Sequence, residues 1–333
     1  MKAAGLAAIV LVLAGCAHPG APPATARLPD LLSYELLRTD GGRMTPRPMT
    51  VAAAAEALSA YDVIVLGEMH DHPGNHVAQM ALYRALADRS GAVDLSMEQF
   101  ERDTQPVIDD YLAGKIGEAS LRKKARAWDN YAESYRPLVE FAKARRFAVI
   151  AADPPTDIVR CIGQEGLGVL DTFAPAKRAT VAASVNIGDG PYRDKFMGFA
   201  TGTTGHGGGT KEAPSESALR GYAAQAARDD TMAESIVRHL AAHPGHKVVH
   251  LTGYFHAESF LGTVERIKSR NAALKVAVVN PVTGNDALAE TQQKSGTFVL
   301  RLQSLPEAYL SDDEASTAIG ARMAQRPKAA CEG

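Results

Sequence analysis

Short apolar runs alternate with helix-like patterns along the chain, and this alternation predicts the fold class. The runs that read as buried strands are residues 62–66, 92–97, 147–151, 247–252, 274–279 and 297–302. Strands that are separated by helices form parallel sheets with helical crossovers. We therefore expect an α/β protein with a mostly parallel central sheet flanked by helices.

Periodic apolar positions and capping residues predict the helices between these strands. The predicted helices are 51–60, 75–86, 105–112, 117–127, 134–145, 156–184, 215–242 and 257–269. The insertion 104–145 is expected to form a helical lid or subdomain, and 33–37 with 44–45 an edge hairpin around a glycine turn. Residues 188–214 hold eight glycines, which is typical of a lid, a binding loop or disorder.

The amino terminus has the pattern of a bacterial lipoprotein signal. Lys2 precedes an apolar stretch, and Leu13-Ala14-Gly15-Cys16 resembles a lipobox, so cleavage before Cys16 and its acylation are expected. Ala17 in place of an aspartate favours the outer membrane. The alternatives are an ordinary signal peptide with a chance cysteine, or an uncleaved anchor. The expected order is signal peptide 1–15, Pro/Ala-rich tether 16–30, a single α/β domain 31–310, and a C-terminal helix and tail 311–333.

Composition and charge exclude some functions. The chain is 46% hydrophobic and 22% charged with a formal net charge of −2, so it lacks the basic stripe that nucleic-acid binding requires. Cys161 and Cys331 remain once Cys16 is assigned to the anchor. An oxidising compartment would permit a disulfide between them, but two free thiols are at least as strong an alternative.

Polar residues follow four of the predicted strands. They are Glu68 and His70 after the first, Glu98 after the second, Asp153 after the third, and His256 after the fourth. The carboxyl ends of parallel strands meet at one edge of the sheet, where ligands bind. The pattern Gly-x-x-His occurs at two of these ends, and glycine is expected to let the chain turn sharply out of the strand.

Such a set supports two kinds of chemistry, weighed against a plain structural role. Glu68, His70 and His256 could hold a divalent metal, while Glu68, His70, Glu98 and His256 could run general acid–base hydrolysis. Arg228 could reach the cleft or form a surface pair with Asp229. The structural alternative is that the carboxylates cap helices and the histidines are exposed. His239, His243 and His246 read as solvated residues, and His250 as a core residue.

Several runs, taken in order, resemble the ChaN-like haem-binding lipoproteins. They are VIVLGEMHDHPGNHVAQMALYRAL, LSMEQF, the segment from Trp128 to Pro137, FAVIAAD, QAARDDTMAESI and VVHLTGYFH. The resemblance implies a membrane-anchored protein that binds haem for iron acquisition, as a homodimer with haem near the interface. The wider superfamily includes Tiki, TraB and erythromycin-esterase-like proteins, in which glutamate and Gly-x-x-His motifs serve hydrolysis. An asparagine is expected from the family where this chain has Asp153.

The resemblance also requires a ligand for the haem iron. Tyr254, beside the cleft, and His206 and Met197, on the glycine-rich segment, are the candidates. Haem binding without turnover is thus the first hypothesis, and metal-dependent or acid–base hydrolysis, with Arg228 assisting, is the second. A scaffold that makes only protein contacts is a third. Whether the protein is an enzyme stays open at this point.

Overall fold

The computed structural model describes residues 28–40, 43–44, 47–201, 213–284, 288–324 and 330–331. Cys16 and His206 lie outside these residues. Within them, no helix combines the length and the hydropathy that crossing a membrane requires.

The central sheet has eight strands. They are β1 (Tyr34–Asp40), β2 (Arg43–Met44), β3 (Val63–Glu68), β4 (Val93–Glu101), β5 (Val149–Asp153), β6 (Lys247–Gly253), β7 (Val276–Thr283) and β8 (Phe298–Leu302). Their order in space is β2-β1-β8-β7-β3-β6-β4-β5. The strands from β8 to β5 are parallel, whereas β1 pairs antiparallel with β8 and with β2. The expected fold class, including the edge hairpin, is confirmed.

Helices cover both faces of the sheet. They are α1 (Val51–Leu58), α2 (Pro73–Ser90), α3 (Gln105–Leu112), α4 (Glu118–Lys124), α5 (Arg136–Arg145), α6 (Thr156–Glu165), α7 (Pro175–Arg178), α8 (Pro191–Ala200), α9 (Glu216–Ala242), α10 (Thr263–Arg270), α11 (Glu290–Gln293) and α12 (Asp312–Ala324). A π-helical turn, Tyr131–Tyr135, leads into α5.

Side-chain alternation along the strands divides the core into two layers. Ile64 and Leu66 pack with α1 to α5 on one face, and Val63 and Val65 pack with α9 and α10 on the other. A strand that is buried on both faces carries an unbroken apolar run, as β3 does. The helices of the 104–145 insertion contribute to the first layer, so they share a core with the sheet.

The path of the chain determines which strand ends are neighbours. After β5 the chain returns through α9 and places β6 between β3 and β4. Glu68 of β3 is therefore in register with Gly253 of β6. Two Gly-x-x-His segments, almost 200 residues apart in sequence, thus lie side by side.

Several predicted boundaries are wrong. The predicted helix 156–184 is broken after Glu165 into a 3-10 segment and α7, because Gly166 has a positive φ of 89° and Pro175 starts a new turn. The predicted loop 188–214 contains the helix α8. β4 is longer than expected and β5 begins and ends two residues later than expected, so Glu98 and Asp153 belong to strands rather than following them.

The carboxyl end of the chain is fastened to the domain by a disulfide. Cys161 on α6 is bonded to Cys331, and Cys161 itself is buried among apolar side chains of α6 and α9. The alternative of two free thiols is therefore wrong.

Candidate functional site

Glu68 is the most densely hydrogen-bonded side chain at the carboxyl edge of the sheet. Its buried carboxylate accepts hydrogen bonds from four groups: His70 Nδ1 at 2.8 Å, Gln79 Nε2 at 2.8 Å, Gln99 Nε2 at 2.8 Å and the Tyr135 hydroxyl at 2.7 Å. A carboxylate with this many donors is fixed in place. Burial and the charge of Glu68 raise the pKa of the Tyr135 phenol, so that hydroxyl stays a donor.

His70 is held by Glu68 in one orientation. The bond from Nδ1 leaves Nε2 as the free ring nitrogen of the neutral imidazole. Burial opposes protonation of the ring, but Glu68 and Glu98 outweigh it and raise the pKa of His70 above its ordinary value. The edge of the Trp128 ring packs on His70 with centroids 4.9 Å apart, and Asn130 Nδ2 donates to the His70 carbonyl at 3.0 Å. The 104–145 insertion thus covers this part of the site.

Glu98 and Asp153 share one guanidinium. Arg228 Nη2 donates to Glu98 Oε1 at 2.9 Å and lies 2.6 Å from Asp153 Oδ2. Glu98 Oε2 accepts from the Thr252 hydroxyl at 2.7 Å and from the Gly253 N–H at 2.6 Å. Arg228 therefore reaches the cleft and does not form the alternative surface pair with Asp229.

His256 forms a second histidine–carboxylate pair. Its Nδ1 donates to Asp229 Oδ1 at 2.8 Å, and Asp229 Oδ2 accepts from the Tyr192 hydroxyl at 2.6 Å. The other ring nitrogen of His256, Nε2, lies 3.3 Å from Gln225 Nε2 and 3.8 Å from Glu98 Oε1. Asp229 is completely buried. Burial disfavours its ionised form, but the interactions with His256 and Arg266 outweigh this effect and hold the pKa of Asp229 below the ordinary value.

The two glycines of the Gly-x-x-His segments, Gly67 and Gly253, allow neighbouring groups to pack closely against the backbone. A Cβ on Gly253 would lie 3.0 Å from His70 Nε2, and one on Gly67 would lie 3.3 Å from the Cα of Tyr254. Gly253 has φ −52°, a value open to any residue, so the expected sharp turn is not why glycine is present. Without a Cβ, Gly253 lets the His70 ring, and Gly67 lets the backbone of Tyr254, lie directly against the strand ends.

The strand-end residues therefore come together as the sequence predicts. Glu68, His70, Glu98, Asp153, Arg228 and His256 all lie at one edge of the sheet. Asp229, Gln79 and Gln99 complete the cluster and were not predicted as site residues. Asp229 could have been noticed, because it lies three residues after Ala226 and four before Ala233, on the buried stripe of α9.

The haem-ligand candidates occupy different surroundings. Tyr254 directly follows β6 and is 37% exposed. Its neighbour Phe255 packs against Phe199, which is 66% exposed, with ring centroids 5.5 Å apart. We name Phe199, Tyr254 and Phe255 the aromatic ledge. Met197 packs in the small apolar cluster between α8 and α9.

Ligand geometry bears on the alternative of a metal at Glu68, His70 and His256. Among the described residues, the one group of three side chains whose ligand atoms lie within 4.8 Å of one another is Asp94, His239 and His246. Glu68, His70 and His256 do not form such a group, and Glu68 is already occupied by donors. The catalytic, haem and metal assignments of the sequence analysis stay predictions.

Two grooves flank this edge of the sheet. One of about 390 Å³ lies beside His70 and is walled by Trp128, Asp129 and Asn130. The other, of about 710 Å³, lies between α2 and the start of α5 and is lined by apolar side chains including Val77, Met80 and Pro137. The first groove gives His70 access to solvent.

Comparisons with known proteins bear on the family and the fold of this chain. The sequence model of a family described as "Haem-binding uptake, Tiki superfamily, ChaN" matches residues 54–267. No curated protein matches the chain. The ChaN protein of Campylobacter jejuni, solved with cofacial haem binding, is 17% identical over 81% of this chain and 97% of its own, with a TM-score of 0.58.

Two further solved structures are more distant. An erythromycin esterase, EreC, in its open conformation is 13% identical over 75% of this chain and 77% of its own, with a TM-score of 0.43. RRSP, a toxin effector domain from Vibrio vulnificus, is 17% identical over 80% of this chain and 40% of its own, with a TM-score of 0.38. At these identities a likeness concerns the fold alone.

Proposed function

This chain belongs to the haem-binding uptake family ChaN of the Tiki superfamily, and on that premise we propose that it binds haem at the aromatic ledge, with Tyr254 as the iron ligand. Haem binding is what the family description and the Campylobacter jejuni structure state of their own proteins. The residues of the ledge fit the group, because a haem needs an axial donor and flat apolar surface beside it.

The observation that carries the proposal is that Tyr254 is exposed and directly precedes Phe255, whose ring packs against the exposed Phe199. Its hydroxyl belongs to a side chain that is 37% exposed, whereas the other aromatic hydroxyls of the site, Tyr135 and Tyr192, are buried and bonded to carboxylates. Burial, with a contribution from Glu258, raises the pKa of the Tyr254 phenol, so ferric iron would have to displace its proton. When bound, ferric iron would act as the Lewis acid that stabilises the Tyr254 phenolate.

Cationic and apolar groups around the ledge suit the rest of the macrocycle. Lys195 Nζ lies 4.3 Å from the centroid of the Phe255 ring and 2.9 Å from Glu258 Oε2. A lysine in this position could meet a haem propionate. Met197 is the weaker candidate because its side chain packs into the α8 cluster, and His206 stays a candidate from sequence alone.

Hemin titration of the full chain tests the ligand. Tyr254→Phe keeps the ring and removes only the hydroxyl, so we expect it to lose the charge-transfer band of iron-bound tyrosinate and to weaken binding. Tyr61→Phe is the matched control, since Tyr61 is a part-exposed tyrosine that precedes β3 at the opposite edge of the sheet. The absence of a saturable Soret shift, or a Tyr254→Phe titration identical to wild type, would overturn the proposal.

The proposal extends to location and assembly. The lipobox at Cys16 supports a lipid anchor in the outer membrane, and membership of the family supports a homodimer that serves haem or iron acquisition. Palmitate labelling of the wild type and of Cys16→Ala tests the anchor, because only a lipidated cysteine would carry label into the membrane fraction. Sedimentation with and without hemin tests the dimer.

A second function is favoured by the two histidine–carboxylate pairs. His70 is oriented by Glu68, and His256 by Asp229, each at 2.8 Å. Nε2 of His256 lies 3.8 Å from Glu98 Oε1, and the charge of Glu98 also acts on His70, an arrangement that suits acid–base activation of water. This alternative is a hydrolase of esters or peptides.

A substrate panel tests the hydrolase. Turnover that is lost in His70→Asn and His256→Asn but retained in Tyr254→Phe would support it and separate it from haem binding. A protein that is inert across the panel, prepared without chelator and analysed for metal, would count against it.

A further inference from the structure

A histidine cluster lies at the amino edge of the sheet, away from the haem and hydrolase candidates. Asp94 is the second residue of β4, His239 is in the last turn of α9, and His246 directly precedes β6. His239 Nε2 and His246 Nδ1 both lie 2.7 Å from the same carboxylate oxygen, Asp94 Oδ2. The sequence analysis predicted that these histidines are merely solvated. Two of them share a buried carboxylate instead.

We propose that Asp94, His239 and His246 form a binding site for a divalent transition-metal ion, of which zinc fits best. The site is separate from the haem proposal and does not depend on it. Three ligand atoms of kinds that zinc favours are already gathered: two imidazole nitrogens and one carboxylate oxygen. Water would fill the remaining positions of the coordination sphere.

The distances require only a small expansion to admit the ion. Ligand atoms around tetrahedral zinc lie about 3.3 Å apart, given metal–ligand bonds of about 2.0–2.1 Å. The two nitrogen–oxygen distances of 2.7 Å are those of hydrogen bonds in the metal-free protein. His246, whose side chain is 37% exposed, can move outward by the half ångström or so that separates these two geometries.

The carboxylate of the cluster is held in position from behind. Asp94 Oδ1 accepts the N–H of Ala148 at 2.8 Å, which leaves Oδ2 to face the two rings. Such outer contacts orient metal ligands and commonly accompany them.

The surrounding charges allow a cation to bind here. The carbonyl end of the long helix α9 lies at His239, and the negative end of a helix dipole attracts cations. Arg238 and Lys247 are the nearest positive residues in sequence. Arg238 is paired with Glu234, and Lys247 donates its Nζ to the carbonyl of Tyr61 at 2.8 Å, so both have partners of their own.

His243 provides an internal control. Its ring stacks on His239 with centroids 4.2 Å apart, and its Nδ1 bonds to the His239 carbonyl at 2.9 Å. It therefore lies beside the cluster without contributing a ligand atom to it. If the metal binds at Asp94, His239 and His246, replacement of His243 should leave the affinity unchanged. If the metal bound loosely to any surface histidine, replacement of His239, His243 or His246 should have similar effects.

The test is zinc titration of the full chain, free of haem and without a polyhistidine tag, by calorimetry and by competition with a chromogenic chelator. We expect one zinc per chain in the wild type. His239→Gln and His246→Gln should each weaken binding by at least about 10-fold, the lower end of the cost of losing even an outer contact. His243→Gln should bind as wild type does, and so should His70→Asn at the opposite edge.

Cobalt gives a readout that a structural role alone would not produce. Co²⁺ in the wild type should show intense visible d–d absorption that zinc abolishes, and His246→Gln should lose it while its circular dichroism stays that of the wild type. The absence of zinc binding, or binding that survives in both His239→Gln and His246→Gln, would overturn the proposal. Loss of binding in His70→Asn alone would also overturn it, by placing the ion at the other edge.

Discussion

Arg228 Nη2 lies 2.6 Å from Asp153 Oδ2, inside a site where a second carboxylate, Glu98, competes for the same guanidinium at 2.9 Å. Burial raises the pKa of Asp153 to about 8 although Arg228 opposes the shift. Burial also disfavours ionised Glu98, but the charges of His256, Arg228 and His70 hold the pKa of that carboxyl well below its ordinary value. One of the two carboxyls is thus ionised and the other largely protonated near neutral pH.

The protonation of Asp153 predicts a specific pH dependence of stability. Between its ordinary pKa of 3.8 and its folded value of about 8, the native state binds a proton that the unfolded state has released. The free energy of unfolding therefore falls as pH rises through this window, by up to about 1.4 kcal/mol per pH unit from this group. Asp153→Asn carries no titrating proton, so its stability relative to wild type should increase from pH 4 to pH 8.

Urea unfolding at a series of pH values measures that difference. Asp157→Asn, which replaces an exposed carboxylate on α6, should keep the wild-type slope. A constant offset between wild type and Asp153→Asn across the window would contradict the assignment. An asparagine is also what the family resemblance leads one to expect at this position, and the neutral form of Asp153 is close to it in shape and polarity.

The pKa values of two buried histidines, His250 in β6 and His256 just after it, should be shifted in opposite directions. Burial opposes protonation of His256, but Asp229 and Glu98 outweigh it and raise its pKa above 6.5. For His250, which bonds to the Ser96 hydroxyl at 3.0 Å, burial lowers the pKa to about 4. Imidazole nitrogen NMR should show a neutral His250 from pH 5 to 8 and a His256 that is still charged above pH 6.5.

Replacement of the carboxylate tests the cause. Asp229→Asn should lower the pKa of His256, and His250 should barely respond. The raised pKa also means that His256 contributes stability below pH 6.5 that is lost as pH rises through its folded pKa. A His256 that titrates at or below its ordinary value in the wild type would refute the pairing.

The parallel part of the sheet could be predicted from the sequence because most of its strands contain a short apolar run. The convergence of Glu68, Glu98, Asp153 and His256 followed from parallel strands alone. The carboxyl ends of β4 and β5 did not, because Glu98 and Asp153 read as strand terminators. They continue the strands since Arg228 and Thr252 supply partners that no local pattern reveals.

The remaining misses have similar tertiary causes. The helix α8 was hidden because glycines dominate the residues after it, although Tyr192 and Phe196 pack it against α9. Asp94 was not singled out because a lone acid in an apolar run carries no sign of its partners, His239 and His246. Hydrogen bonds between segments that are about 150 residues apart leave no periodic trace in sequence.

The disulfide predicts a measurable contribution to stability. Because Cys331 is bonded to Cys161 across most of the domain, Cys331→Ser should lower the free energy of unfolding by about 2–4 kcal/mol. Urea unfolding of wild type in reductant should show the same loss, and reductant should have no further effect on Cys331→Ser. Equal stability of wild type with and without reductant would contradict a formed bond.

The hydrogen bonds of Glu68 predict that its charge cannot be replaced by an amide. In Glu68→Gln, an NH₂ group replaces one of the two oxygens that accept hydrogen bonds from His70, Gln79, Gln99 and Tyr135. Because this NH₂ group cannot accept hydrogen bonds, some of these buried donors would lose their partner. The free energy of unfolding should fall by about 2–4 kcal/mol. Glu118→Gln is the matched control, since Glu118 pairs with Arg136 at 2.6 Å but both are part-exposed, and should cost at most about 1 kcal/mol. Equal losses in the two variants would show that the Glu68 cluster is no more tightly coupled than a surface ion pair.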